Sequence, residues 1–355
     1  MSIAIMKKSG PFAHGFTSVQ KTMFLVLLAL APATVFNLYL FGWPAILLFI
    51  VTVGACVAVE AACLAVAGKP VVATLADCSA ILTGWLLAMS LPPWAPWWIG
   101  VLAAIFAIAL TKHAFGGLGQ NLFNPAMVAR VALLISFPLP MTLWVAPLPI
   151  TAAAAPGFID GLRITLGGLP AAFDAVTGAT LLGHAKTELA RGIDLLQAFA
   201  AADAPGASLS GARAGSLGET AAWLIAGGGV ALMFLRIISW HIPLAMLAGI
   251  ALPAAILHAV DPARYLDATT HLLSGGAMLG AFFIVTDPVS GSTTPKGKLI
   301  FAGGVALLTW IIRTFGAYPD GIAFAVLLMN IAAPLIDMNT QPPVFGHKLP
   351  DKERQ

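Results

Sequence analysis

Apolar blocks of about twenty residues recur along this chain, separated by short turns rich in Gly, Pro and small polar residues. Roughly twenty residues of helix cross the hydrocarbon core of a bilayer. Ten such blocks are predicted, at about 22–42, 44–67, 76–92, 95–111, 121–138, 220–240, 242–260, 268–286, 298–314 and 320–338. They divide the chain into a segment over 1–21, five helices over 22–138, a polar insertion over 139–219, five more helices over 220–338 and a tail over 339–355. The expected fold is an all-α polytopic membrane protein. A polar stretch with Lys7, Lys8 and Lys21 precedes the first block, and no small-residue cleavage site follows a short apolar core. That block therefore reads as an uncleaved anchor.

Composition agrees with the pattern. The 355 residues are 59% hydrophobic and 9% charged, with a mean hydropathy of +0.92. Soluble domains are about a quarter charged, so this chain cannot cover itself for water. Its 35 glycines and 25 prolines suit membrane helices whose neighbours satisfy the backbone groups such residues free.

Charge gives the orientation. If ten helices alternate, Lys7, Lys8, Lys21, Lys69, Lys112, Arg236, Lys296, Lys298, Lys348, Lys352 and Arg354 share one side, against Arg264 and Arg313 in the short loops of the other. Basic loops favour the cytoplasm. Both termini are expected there, with the insertion outside, in the periplasm beyond a bacterial inner membrane. This bias accounts for the net charge of +3 without a nucleic-acid partner. Cys56, Cys63 and Cys78 lie in or beside the second and third helices and form no Cys-x-x-Cys. They read as buried apolar thiols, not a cluster site.

The halves match weakly. Gly84-Trp-Leu-Leu-Ala-Met-Ser-Leu-Pro92 parallels Gly280-Ala-Phe-Phe-Ile-Val-Thr-Asp-Pro288, and Phe115-Gly116 parallels Phe315-Gly316. Five helices per repeat invert the second copy, an arrangement that builds sites between halves near the membrane midplane. Chance similarity among Gly/Ala/Leu-rich helices is the competing account. Two loops, Phe115–Pro125 and Thr286–Lys296, combine turn formers with short polar side chains. Either is an ordinary cytoplasmic turn or a broken-helix element lining a site.

Ionisable residues within apolar blocks are expensive. Glu60 sits in the second block, Arg130 in the fifth, and His258 and His271 near the outer ends of the seventh and eighth. Asp77, Asp287 and Asp337 sit at inner ends. Glu60 and these aspartates are hard oxygen donors of the kind a Na⁺ site or proton relay uses. The bland reading is pairing, for example with Arg130 or Lys298, or interfacial solvation of the aspartates. Only Glu60 is deep enough to favour function. The two histidines lack a second pair for a transmembrane haem relay and read as interfacial.

The insertion carries an amphipathic stretch over Leu181–Phe199, preceded by Asp174-Ala-Val-Thr-Gly-Ala-Thr180. On its residues alone this is a helix start: Thr177 or Thr180 caps it and Gly178 shapes the turn. However, Asp-x-x-Ser/Thr-Gly-Ala-Thr resembles the motif on which a flavin transferase esterifies FMN phosphate to the last threonine. Asn121-Leu-Phe-Asn-Pro-Ala126, Gly280–Lys298 and Phe324–Asp337 extend the likeness to nearly the whole chain. It resembles the family shared by the D subunit of bacterial Rnf complexes and the B subunit of sodium-translocating NADH:quinone reductase. Its length and short amino-terminal tail fit the Rnf branch.

The resemblance implies covalent FMN on Thr180, with Asp174, Thr177, Gly178 and Ala179 as recognition sequence. It also implies a second, non-covalent flavin, riboflavin, among the helices. Asn121, Asn124, Thr286, Ser290, Thr293 and Thr294 are candidate contacts, and Glu60, Asp287 and Asp337 candidates for ion coupling. The implied role is electron transfer within an ion-translocating ferredoxin:NAD⁺ oxidoreductase that moves H⁺ or Na⁺. Partners would be a second covalent-FMN subunit, iron–sulfur subunits, a flavin transferase for maturation, and lipid. The chain lacks a Gly-x-Gly-x-x-Gly nucleotide motif and a cysteine set for clusters, so it would be inactive alone. The rival class is a small-solute or ion channel of inverted-repeat type, in which Thr180 is only a cap.

Overall fold

The computed structural model describes residues 18–167, 177–200 and 213–342. The first helix runs over Val19–Val66, with Ser18 Oγ accepting from the Lys21 amide at its start, and is interrupted at Gly42, where φ is 75°. Pro44 lies two positions on, and lacks the N–H that a helix running unbroken through Gly42 would need there. The break is a reversal. The Trp85 indole donates to Thr34 Oγ1 at 2.8 Å and its ring meets Phe49 at 5.0 Å. In a straight helix Thr34 and Phe49 would lie ~22 Å apart, so the two predicted spans on either side of Gly42 fold back on each other.

The rest of the first half comprises helices Val71–Leu75, Ser79–Ser90, Trp97–Ala104 and Pro125–Ser136. Trp97–Ala104 continues through Ile105–His113 with wider π winding, in which Ala114 N–H reaches back to Ala109 O. The second half comprises Ala222–Phe234, His241–Val260, Pro295–Phe315 and Ile322–Asn339, with shorter pieces over 268–284 between them. Among the described residues, four helices are long and apolar enough to cross a membrane: Val19–Val66, His241–Val260, Pro295–Phe315 and Ile322–Asn339. Ser79–Ser90, Trp97–His113, Pro125–Ser136 and Ala222–Phe234 are shorter apolar helices. Large aliphatic side chains such as Val35, Ile50, Leu252, Ile256, Ile331 and Leu335 stand exposed on the outer faces, as lipid contact requires.

One expected span is not continuous. Residues 268–286 form a helix over Ala268–Leu273, a break at Gly275 and Gly276 (φ 62° and 65°), then Ala277–Leu279 running into the π-wound Gly280–Ile284. Left-handed backbone at two successive glycines ends the helix, and Arg313 donates to the freed carbonyls of Ser274 and Gly275. The amphipathic stretch over 181–199 is likewise two helices, Leu181–Ala190 and Leu195–Ala200, separated by Gly192 at φ 80°.

The insertion packs on one end of the bundle. Tyr39 Oη meets Thr151 Oγ1 at 2.9 Å, Ile150 N–H donates to Tyr39 O, and Leu195 N–H donates to Ala263 O. Gly161 lies so close to Trp43 that an added Cβ would sit 2.7 Å from the tryptophan's. At the other end Lys69 donates to Gly116 O at 3.3 Å, and Thr293 donates to Asp337.

Candidate functional site

A cavity opens between the halves, with about 940 Å³ of empty space, part of it continuous with solvent. Its walls are chiefly apolar (Leu82, Leu86, Ile238, Phe282, Phe283), and polar groups from Ser79, Lys112, Asn121, Asn124, Thr286 and Asp287 converge on it. Both turn-rich loops contribute, Leu118 and Asn121 from one and Thr286–Val289 from the other. They therefore line a cavity and are not simple turns.

Asn124 holds this region together. Its side-chain oxygen caps the Pro125–Ser136 helix by accepting from the Met127 amide, and its Nδ2 donates to Ile284 O at 3.4 Å. Its backbone N–H donates to Asn330 Oδ1 at 3.1 Å, while Asn330 Nδ2 donates to Ser290 O at 2.9 Å. Asn330 escaped the sequence reading, although an Asn inside an apolar helix was its signal. Asn121 Nδ2 is held by Phe123 O, and Thr286 Oγ1 donates to Phe282 O.

The remaining candidates from that loop lie elsewhere. Ser290 donates to Asp287 Oδ2 at 2.7 Å, and Asp287 Oδ1 accepts from the Val289 amide. Thr294 caps the Pro295–Phe315 helix and meets Thr340 Oγ1 at 2.6 Å. Asp337 accepts from Ser292 and from both the amide and hydroxyl of Thr293. The structure thus gathers Asn121, Asn124, Thr286 and Asp287 at the cavity, and ties Thr293, Thr294 and Asp337 into the neighbouring turn.

Glu60 is buried, but neither Arg130 nor Lys298 pairs with it. Lys112 does, at 2.7 Å to each carboxylate oxygen, and it also donates to Ser79 Oγ at 2.7 Å. Lys112 is 3% exposed, so it is not the loop cation that the charge count implied. His113 Nε2 lies 3.2 Å from Glu60 Oε1, and Ser79 Oγ donates to Asp77 Oδ1 at 2.6 Å. π winding beyond Ala104 brings both basic residues onto Glu60; such irregular turns occur frequently at functional sites.

Arg313, expected in an outer loop, is also buried. It donates to the carbonyl of His271 at 2.7 Å and pairs with Asp320 at 3.2 Å, and Asp320 takes Arg130 at 2.9 Å. His271 is buried beside it; His258 Nδ1 lies 2.7 Å from Tyr265 O. Cys56 is buried, and Cys63 and Cys78 are partly so, all three free. Among the described residues no group of three His, Cys, Asp or Glu is placed to hold a metal.

Thr180 is the N-cap of the Leu181–Ala190 helix. Its Oγ accepts from the Gly183 amide at 3.1 Å and it is 7% exposed. Thr177–Gly178 forms a two-residue strand antiparallel to Trp144–Val145, while Ala179 is exposed and Asp174 lies outside the described residues. A small pocket beside Thr180 is lined also by Arg213, Glu219, Thr220 and Gly275. Burial holds Glu219 above the usual carboxylate range, reinforced by Asp320, and Ser216 Oγ donates to it at 2.9 Å. From the same helix Lys186 donates to the carbonyls of Ile312, Gly316 and Tyr318, so it ties the insertion to the end of the Pro295–Phe315 helix. Burial, with Arg313 nearby, lowers its pKa to about 8.

Comparison with known proteins supplies what geometry alone lacks. The model of the NQR2, RnfD, RnfE family matches residues 6–346. The chain is 51% identical over 338 residues to the D subunit of the ion-translocating oxidoreductase complex of Halorhodospira halophila, covering 95% of this chain and 94% of that one. It is 51% identical over 330 residues to the protein of the same name from Stutzerimonas stutzeri, 93% of each chain. With the Escherichia fergusonii protein of that name, identity is 45% over 350 residues, 96% of this chain and 98% of the other.

Proposed function

Since the chain belongs to the NQR2, RnfD, RnfE family, we propose that it is the flavin-carrying membrane subunit of a complex coupling ferredoxin:NAD⁺ redox chemistry to translocation of H⁺ or Na⁺. It is a translocase subunit, inactive without its partners: a second covalent-FMN subunit, iron–sulfur subunits and, for maturation, a flavin transferase. The observation that carries the reading is the cavity between the halves. Small-molecule pockets pair apolar walls with a few placed polar groups. An isoalloxazine has flat apolar faces and a polar edge. Leu82, Leu86, Phe282 and Phe283 suit its faces, and Asn121, Asn124 and Thr286 its edge. Bound there, riboflavin supplies the redox chemistry, while the protein orients it and sets its potential.

Thr180 is the proposed FMN acceptor. Its hydroxyl stands at the N-terminus of a ten-residue helix, where backbone amides and the helix dipole favour a phosphate. Because Thr180 is 7% exposed, the transferase is expected to act before the loop docks. Ten membrane helices in two inverted repeats, with the insertion periplasmic and the termini cytoplasmic, complete the reading. In its support, each half buries a basic residue near the end of its fourth helix, Lys112 against Glu60 and Arg313 against Asp320. These pairs lie at opposite ends of the bundle, as an inverted duplication requires.

The test is the intact mass of the subunit purified from its complex, followed by peptide mapping. An FMN phosphoester within 174–184 is expected. A polypeptide of unmodified mass, despite co-expression with the transferase, would overturn the covalent assignment and favour a passive carrier in which Thr180 only caps a helix.

A further inference from the structure

The cluster around Lys112 has the composition of a cation site already filled by a side chain. Three oxygens, both of Glu60 and the hydroxyl of Ser79, lie 2.7 Å from one ammonium nitrogen. Asp77 stands behind Ser79, accepting its hydroxyl hydrogen. The cluster therefore holds two carboxylates against a single lysine, with His113 beside Glu60 and the Cys56 and Cys63 thiols near enough to interact with its charge. His113 Nε2 is buried near Glu60 yet makes no hydrogen bond. The elements packed here supply no other charge to Glu60: Val19–Val66 gives Glu60 itself, the start of Ser79–Ser90 gives Asp77 and Ser79, and Ile105–His113 gives the two bases.

Lys112 also has somewhere to go. It lines the cavity between the halves, on which Asn121 and the carboxylate-bearing Asp287 converge. A lysine is a compact ammonium on a flexible stem, so its nitrogen can leave Glu60 for the cavity without moving a helix. Removing it would leave a buried carboxylate uncompensated, which is strongly unfavourable unless another cation replaces it.

We propose that Glu60 and Ser79 form a monovalent-cation site and that Lys112 is its built-in competitor, occupying the site until its ammonium withdraws into the cavity. This rests on the reading of Glu60 as an ion-coupling residue, and goes beyond it by assigning the competing side chain and the ligand class. It does not depend on the flavin assignments, whose failure would show in the mass and flavin content instead.

The experiment uses the whole complex, wild type and Lys112→Met, purified in choline chloride. ²²Na⁺ binding and thermal unfolding are then followed as NaCl, KCl or LiCl is added. The expected result is one further bound cation per complex in Lys112→Met, with a Tm that climbs with that cation's concentration. The gain should vanish in Lys112→Met/Glu60→Gln, and Lys112→Arg should behave as wild type. Lys112→Ala provides a second arm, because the truncated stem leaves room for methylammonium, which should stabilise it selectively. An assembled Lys112→Met complex that gains no cation, or a gain that survives Glu60→Gln, overturns the proposal. So does failure of both Lys112→Met and Lys112→Ala to assemble in every one of these salts.

Discussion

The backbone N–H of Asn124 donates to the side-chain oxygen of Asn330, 206 positions later, at 3.1 Å. That bond joins the two halves of the chain beside the cavity, and Asn330 is itself held within the second half by donating to Ser290 O. Asn330→Leu removes donor and acceptor together and leaves the Asn124 amide and Ser290 carbonyl unpaired. Stability should drop by about 1–3 kcal/mol. Under the proposed function, non-covalent flavin should be lost from the purified complex while the FMN proposed on Thr180 remains. Flavin extraction with acid, followed by chromatography of soluble and protein-bound fractions, separates these outcomes; unchanged riboflavin would remove Asn330 from the site.

Thr180 caps its helix through the same oxygen proposed to accept FMN, and substitutions can divide the observed role from the proposed one. Thr180→Ser keeps a hydroxyl and should retain both the cap and in-gel flavin fluorescence after denaturation. Thr180→Val should abolish the fluorescence and, by uncapping Leu181–Ala190, cost about 0.5–2 kcal/mol. Thr180→Asp restores a capping oxygen without an acceptor hydroxyl, so it should be stable and dark. A fluorescent Thr180→Asp band would place the flavin on another residue.

Glu219 makes docking of the insertion depend on pH. Its folded pKa lies above the ordinary 4.5, chiefly through burial and then Asp320, with Arg130, Ser216 and Arg313 opposing. A raised pKa means that the folded state binds this proton more tightly than the unfolded chain does. The contribution is complete below 4.5 and fades as pH climbs through the raised value. Glu219→Gln, which cannot ionise, should therefore gain Tm relative to wild type as pH increases above 4.5. Parallel Tm profiles for the two proteins would refute this assignment.

Gly275 is a position that no other residue should fill. Its φ is 62°, and an added Cβ would meet Arg313 Nη2 at 2.4 Å and Leu182 Cδ1 at 2.8 Å. Gly275→Ala should cost about 1–3 kcal/mol from backbone strain alone, and more from displacing Arg313. The insertion, which packs Leu182 here, should become more sensitive to limited proteolysis. Gly303→Ala, with open space around it, serves as the control and should be neutral.

Apolar block length and the scarcity of charge determined the solvent, and with it the helical class, because a bilayer accepts only spanning segments that satisfy their own backbone. The reversal at Gly42 was legible for the same local reason, a glycine followed two positions later by proline. The motif ending at Thr180 was equally legible, since the capping chemistry and the family likeness both lie in contiguous residues. What tertiary structure decided was pairing. Lys112 and Arg313 looked like loop charges because each ends an apolar block, and nothing local states that Glu60 lies 52 positions away from one or that broken-helix carbonyls await the other. The break at Gly275–Gly276, the bond from Asn124 to Asn330 and the cavity between the halves arise from packing between distant segments, where the cost of leaving a buried polar group unpaired selects the partner.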